Sequence, residues 1–396
     1  MLKKIAAKFR ESFSLYARIV FGVSLISLLL YVSFRMSPSF SDFFNRYISS
    51  LLRAFLAFLT SFIPFSLAET VVIVLPFLLI LLFIIAIRLA TPDGKKPKKG
   101  EEVTEEEKIE IEKNEEISVK RTSDFTNNLF ATVLLLFNLF VWSFSAGYSG
   151  APLEEKLDME RQPVTAEQLF DTGSILLEKI TPILQSDIRF GETGASIMPY
   201  SRDTLNDLLN EAYKKACEKY AFLPRLHSKL KFIALSDLMT YTHISGVYSY
   251  YTGETNINLN YPDYTLPFTC AHEMAHQRGI AKEEEASFVA FLVCSESDDP
   301  YIRYSALLSV YEYVADALYQ ADPGLYASLS NRMPYGVYYE EAAFSKFFAQ
   351  YRNSTASKVS GVVNDTYLKL QGQSAGAKSY DLVVDLAVSY FTERDD

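Results

Sequence analysis

The sequence predicts an α+β outer domain, residues 149–396, behind an N-terminal all-α transmembrane region of three helices, residues 1–148. Three observations carry this division. Stretches at about 17–36, 70–90 and 127–148 are apolar and long enough to cross a bilayer. Beyond residue 160 the apolar residues recur at helical spacing, interrupted between 229 and 260 by short runs rich in β-branched and aromatic residues. The charge also changes along the chain: within a formal net charge of −10, residues 1–150 carry 17 Lys/Arg against 14 Asp/Glu, and residues 151–396 carry 21 against 34. An acidic second half excludes nucleic acid as a partner, because phosphate binding needs the opposite sign. Cys217, Cys270 and Cys294 match no zinc-knuckle or redox spacing and read as buried small hydrophobes.

In chain order, "IVFGVSLISLLLYVSF" (19–34) lacks charge between Arg18 and Arg35, and no small-x-small cleavage site follows it, so it reads as a retained span. The segment 43–69 is apolar but holds Arg46, Arg53 and Glu69 and is broken by Pro64. It is expected to be an interfacial or re-entrant helix, since a fourth span would invert everything downstream. "TVVIVLPFLLILLFIIAI" (70–87) is the clearest span, with a kink expected at Pro76. Residues 91–123, rich in Lys, Glu, Pro and Gly, read as a solvated, charged cytoplasmic loop. The third span is apolar around Asn138, with Trp142 and Tyr148 as an aromatic anchor toward one end. Lys3, Lys4, Lys8, Arg10 and Arg18 precede the first span. Arg88, Lys95, Lys96, Lys98, Lys99, Lys108, Lys113, Lys120 and Arg121 lie between the second and third, against only Arg35, Arg46 and Arg53 between the first and second. The positive-inside rule then makes the 88–124 loop cytoplasmic, and the protein a multi-pass cell-membrane protein with its C-terminal domain extracytoplasmic.

In the outer part, Thr165 and Ser201 are expected to cap helices over 165–184 and 201–220. Residues 229–236, 246–253 and 254–260 read as short strands. In the last of these Ile257 and Leu259 alternate with Asn256, Asn258 and Asn260, as on an edge strand facing a cleft, so Asn256 and Asn258 are candidate substrate contacts. From Leu266 onward the pattern is helical, including 300–320, 339–354 and 379–393.

The chemistry centres on "CAHEMAHQRGIAKEEEASF" (270–288). His272 and His276 stand one helical turn apart and can present imidazole nitrogens to one ion, with Glu273 placed to take a proton from a water there. Gly279 can end the helix and turn the chain back. Lys282 occupies the position where extended motifs carry a third histidine, so a carboxylate from the next helix must complete the set. Glu283 shares its face with the small residues Ala286, Ser287, Ala290 and Cys294, which permits close approach of the two helices. Glu284 and Glu285 sit above bulkier residues and are expected to be a solvated helix start. Ser287, one turn below Glu283, is a candidate hydrogen-bond partner for a ligand or a packing spacer. His243 is a candidate oxyanion donor or an exposed turn residue, and His227 is expected on the surface. Tyr248, Tyr251 and Tyr380 are candidates to polarise a substrate carbonyl, none distinguished by spacing.

"GVYSYYTGETNINLNYPDYTLPFTCAHEMAHQRGIAKEEEASFVAFLVC", "DDPYIRYSALL" and "NDTYLKLQGQSAGAKSYDLVVDL" resemble the bacterial membrane-anchored family catalogued as domain of unknown function 3810, over nearly the whole chain. The resemblance implies a zincin-like outer domain and no particular substrate. It places glutamate where Glu283 stands and asparagine where this chain has Ser287. More distantly the chain is similar to gluzincin peptidases, whose downstream Glu-x-x-Ala helix implies Glu283 as a ligand. The expectation is a membrane-anchored zinc metallopeptidase, a hydrolase with Zn2+ as cofactor acting on a peptide or protein substrate. The alternative is a non-catalytic receptor or assembly factor with a structural or vestigial metal site. A transporter is disfavoured, since the spans hold no charged pair beyond Glu69.

Overall fold

Helices account for most of the chain, and the computed structural model describes residues 12–94, 103–352, 354–376 and 382–392. Lys3, Lys4, Lys8, Arg10, Lys95, Lys96, Lys98, Lys99 and Tyr380 lie outside the described residues. The first half contains α1 (Leu15–Met36), α2 (Pro38–Phe44), a π-helical turn (Asn45–Ser49), α3 (Ser50–Ser61), α4 (Leu67–Ala90) and α5 (Glu105–Ser143). Two compact units emerge. One comprises Met1–Val32 with Glu69–Val141, the other Ser33–Ala68 with Trp142–Asp396.

In the first unit, α1, α4 and α5 are each long and apolar enough to cross a membrane. Polar residues on these helices find partners: Ser14 donates to Asn128 Oδ1 (2.5 Å), and Asn138 Nδ2 to Ser24 Oγ (3.1 Å). The expectation of a solvated loop over 91–123 is corrected from Glu105 onward, where α5 begins. Thr104 and Glu107 exchange hydrogen bonds as a capping box, and Glu105–Glu107 fill the first turn, where carboxylates favour the helix dipole. The helix ends at Ser143, five residues before the expected limit of the span, because Phe144 leaves helical geometry at φ −139° and a 3₁₀ turn, Ser145–Tyr148, follows.

The second unit continues with α6 (Leu153–Lys156), α7 (Ala166–Ser186), α8 (Arg202–Lys219), β1 (Leu230–Phe232), α9 (Ser236–Thr240), β2 (Gly246–Ser249) and β3 (Glu254–Ile257). It closes with α10 (Leu266–Gln277), α11 (Glu283–Ser295), α12 (Pro300–Ala321), α13 (Pro323–Ser330), α14 (Tyr335–Phe348), α15 (Thr355–Leu370) and α16 (Val383–Thr392). Thr165 and Ser201 cap α7 and α8 as expected, Thr165 with Gln168 in a full capping box. The core runs between α7 and α12, with α10, α11 and α16 packed against it. Cys270 and Cys294 are buried in it, while Cys217 is half-buried.

The sheet corrects one expectation. Its order is β1-β3-β2, with β1 parallel and β2 antiparallel to β3, so β3 is the central strand and β1 and β2 are the edges. Both faces of β3 are covered. The face that carries Glu254 and Asn256 meets the 60–68 segment: Ser66 donates to Asn256 Oδ1 (2.7 Å), and Glu254 receives the Leu67 and Ala68 N–H groups (3.1 and 3.0 Å) at the start of α4. Lys231 on β1 donates to the Thr60 and Ile63 carbonyls. Residues 37–66 are therefore built into the same unit as the sheet.

Candidate metal centre

The site begins with the way α10 ends. Gly279 adopts φ +91°, its N–H bonds to His276 O (2.9 Å) and the Ile280 N–H to Ala275 O (3.1 Å), completing a Schellman motif. This turn sends the chain directly into α11, which packs against α10 and carries Glu283 at its first position.

His272 and His276 present Nε2 atoms that each lie 3.2 Å from Glu283 Oε2. One ligand atom from each of the three lies within 4.8 Å of the others. The remaining ring nitrogens are committed elsewhere. His276 Nδ1 donates to the Ile280 carbonyl (2.7 Å), made available by the same turn, and Ser287 Oγ lies 3.1 Å from His272 Nδ1. A carbonyl can only accept, so His276 carries a proton on Nδ1, which leaves Nε2, facing Glu283, as the nitrogen that could bind a metal once deprotonated. The two-imidazole, one-carboxylate donor set fits a divalent cation such as zinc.

Electrostatics follow from close packing of these groups. Burial opposes charge on His276, but the Glu283 carboxylate outweighs it and holds the imidazole pKa up at about 9. Burial likewise opposes charge on Glu283, yet the imidazoles hold its carboxyl well below the usual carboxylate range. Glu273 is 5% exposed, and burial pushes its pKa up against the opposing pull of the two imidazoles and the Tyr248 N–H. Gly246, at the start of edge strand β2, passes so close that an added Cβ would sit 2.7 Å from Glu273 Cγ and 2.8 Å from its Oε1. Only a glycine leaves room for that carboxylate.

These residues line a cavity of about 720 Å³ shared with Phe144, Tyr148, Tyr248, Tyr250 and, from α15, Val363 and Tyr367. His243 is on its wall in left-handed backbone (φ +60°), exposed, with Nε2 3.0 Å from the Tyr351 carbonyl. Asn256 and Asn258 do not line it. Both are fully buried, Asn256 donating to Val247 and Glu254 carbonyls and Asn258 to Ile244 O and Thr240 Oγ1, which commits their amides to holding loops. Tyr251 is exposed at 41% and His227 is exposed. Glu284 and Glu285 are buried rather than solvated. Glu285 pairs with Lys282 (2.6 Å) and accepts the Leu153 N–H (3.1 Å), while burial pushes Glu284 up to about 7.

Three residues join the site that no sequence pattern marks for it, and one of them, Tyr148, is buried at the cavity rather than serving as the expected aromatic anchor of the third span. Tyr148 and Tyr367 join their hydroxyls across the cavity (3.2 Å), from opposite ends of the unit's sequence. Arg53, fully buried on α3, donates to Asn45 Oδ1 and O, to Ser143 O and to Arg278 O, while Asn45 Nδ2 donates to Gly279 O (2.9 Å). The signal available was an arginine in an apolar stretch, which has to find partners.

No curated protein and no solved structure matches the chain. The model of one family, described as a protein of unknown function (DUF3810), matches residues 40–388, and the chain belongs to that family.

Proposed function

We propose that the chain is a membrane-anchored zinc metallopeptidase whose zincin-like domain faces outward, with His272, His276 and Glu283 holding the metal and Glu273 as general base. The observation that carries this reading is the convergence of both imidazole Nε2 atoms on one Glu283 oxygen, with a buried carboxylate alongside in the same cavity. When bound, a divalent cation supplies Lewis acidity and eases deprotonation of water near neutral pH. Glu273, its basicity raised by burial, accepts the proton of the attacking water and delivers it to the leaving amine. Ser287 and the Ile280 carbonyl orient the two imidazoles. The hydroxyls of Tyr148 and Tyr367 are candidate donors to a substrate carbonyl.

The outward orientation is supported by the pairing of the chain's two outer pieces. Hydrogen bonds join 37–68 to 142–396, which needs both on one side of the bilayer; three spans provide this, and the distribution of Lys and Arg selects the outer side. The test uses the full-length chain in detergent. Glu273→Gln is expected to keep its metal and lose peptide hydrolysis by about 10²–10⁴-fold. Undiminished hydrolysis would remove Glu273 from its role. Intact cellular function in Glu273→Gln, with loss of folding in His272→Ala, would favour a receptor with a structural metal.

A further inference from the structure

The helices between the first two spans have two opposed faces. Phe44, Ser49, Arg53, Ala57 and Thr60 are buried, whereas Tyr47, Leu51, Phe55, Phe58 and Phe62 are 56–71% exposed. The exposed set recurs every three or four residues, a single stripe along one side of the π turn and α3. It is aromatic-rich, and Arg46 is the only exposed charge between residues 43 and 65. Its chain connections are as informative as its composition. Ser37 alone separates α2 from α1, and residues 62–66 separate α3 from α4, so the helical segment that carries the stripe hangs between two membrane-length helices, joined by a single residue at one end and a short linker at the other.

We propose that this stripe is a lipid-docking surface, lying in the outer leaflet beneath the domain that carries the metal-binding residues. An amphipathic helix with aromatic side chains on its apolar face lies in the interface plane, and tethering at both ends by spans holds it there without further affinity. The buried face transmits that position to the site. Asn45 and Arg53 hold the Gly279 and Arg278 carbonyls, three and two residues after His276, so the histidine helix ends within one hydrogen bond of a lipid-seated segment. Resting on the peptidase reading, the substrate class is then polypeptide anchored in, or emerging from, the outer leaflet.

The test uses the full-length chain in lipid nanodiscs, on a Trp142→Phe background that removes the single native tryptophan. Leu51→Trp is expected to lose about half or more of its emission when the acyl chains are brominated, and to resist aqueous iodide. Phe58→Trp repeats the measurement should the first variant misfold, and Tyr335→Trp, at a site 82% exposed in the same unit, is the control that iodide quenches and bromine does not. Iodide quenching of the stripe would put it in water and overturn the proposal. Protection from both quenchers would mean that protein, such as a second copy of the chain, covers it, and would overturn it equally. The substrate class is checked by cleavage of one peptide with and without an acyl anchor in the same nanodisc, expected to favour the anchored form by about tenfold or more; equal rates contradict it. Metal content is read in parallel. A metal-free chain with lipid quenching intact sinks only the peptidase reading, and a zinc-loaded chain without quenching sinks only the lipid docking.

Discussion

Ser287 faces His272 Nδ1 at 3.1 Å and is 1% exposed, so at the proposed metal centre it would act only by fixing one imidazole. Ser287→Ala is expected to weaken zinc affinity about tenfold while leaving the fold intact, measured by chelator competition; unchanged affinity would make it a packing residue. Protons compete for the same nitrogens. In the metal-free chain His276 is held up at about 9 by Glu283, so its ion pair stabilises the fold below the usual histidine value and is lost as pH rises through about 9. A metal at the proposed site would have to displace that proton. Uptake at pH 7 is therefore expected to release a proton, and apparent affinity to rise about tenfold per pH unit toward pH 9, checked by titration calorimetry in buffers of different ionisation enthalpy. A pH-independent affinity would contradict it. The convergence of His272, His276 and Glu283 was legible as sequence because helical period alone stacks i and i+4, and small residues below Glu283 select one of three adjacent carboxylates. Tyr148 and Tyr367 were not legible, since nothing local tells two of 26 tyrosines that they will meet.

Among the elements, α11 gives its three leading glutamates three fates: Glu283 to the imidazoles, Glu285 to Lys282, and Glu284 to a buried position where Oε2 has no hydrogen-bond partner among the described residues. Burial raises Glu284 to about 7, so the folded state binds its proton more tightly and loses stability as pH rises from the usual carboxylate value through about 7. Glu284→Gln is expected to stabilise the chain at pH 8 by about 1–3 kcal/mol and to change little at pH 4.5, read from denaturation midpoints; equal effects at both pH values would contradict this. On α3, Arg53→Ala would strand the Ser143 and Arg278 carbonyls without their donor. The expected cost is about 3 kcal/mol or more, with weaker metal retention because the turn after His276 loosens; a near-neutral effect would detach α3 from the site. The strands were legible by their β-branched and aromatic content, but their order was not. Alternation in β3 shows two chemically different faces, and only the 60–68 segment, distant in sequence, decides that the polar face is interior.

For the molecule as a whole, the long apolar helices and the helical second unit follow from composition and period, whereas membership of 33–68 in that unit depends on buried partners more than a hundred residues away. A soluble fragment starting near residue 150 would leave Asn256, Glu254 and Lys231 without the 60–68 segment, and is expected to aggregate or unfold where the full chain does not, read by size-exclusion chromatography. A stable, monodisperse fragment would show that the contacts of the 60–68 segment are dispensable. The proposed shared cation is tested most directly by zinc-edge X-ray absorption on the purified full-length chain, together with its metal count. One zinc per chain with two imidazole nitrogens and oxygen at about 2.0–2.2 Å, lost in His276→Ala and in Glu283→Ala, is the expected result. A chain without metal, or zinc held by sulfur at about 2.3 Å, would contradict it.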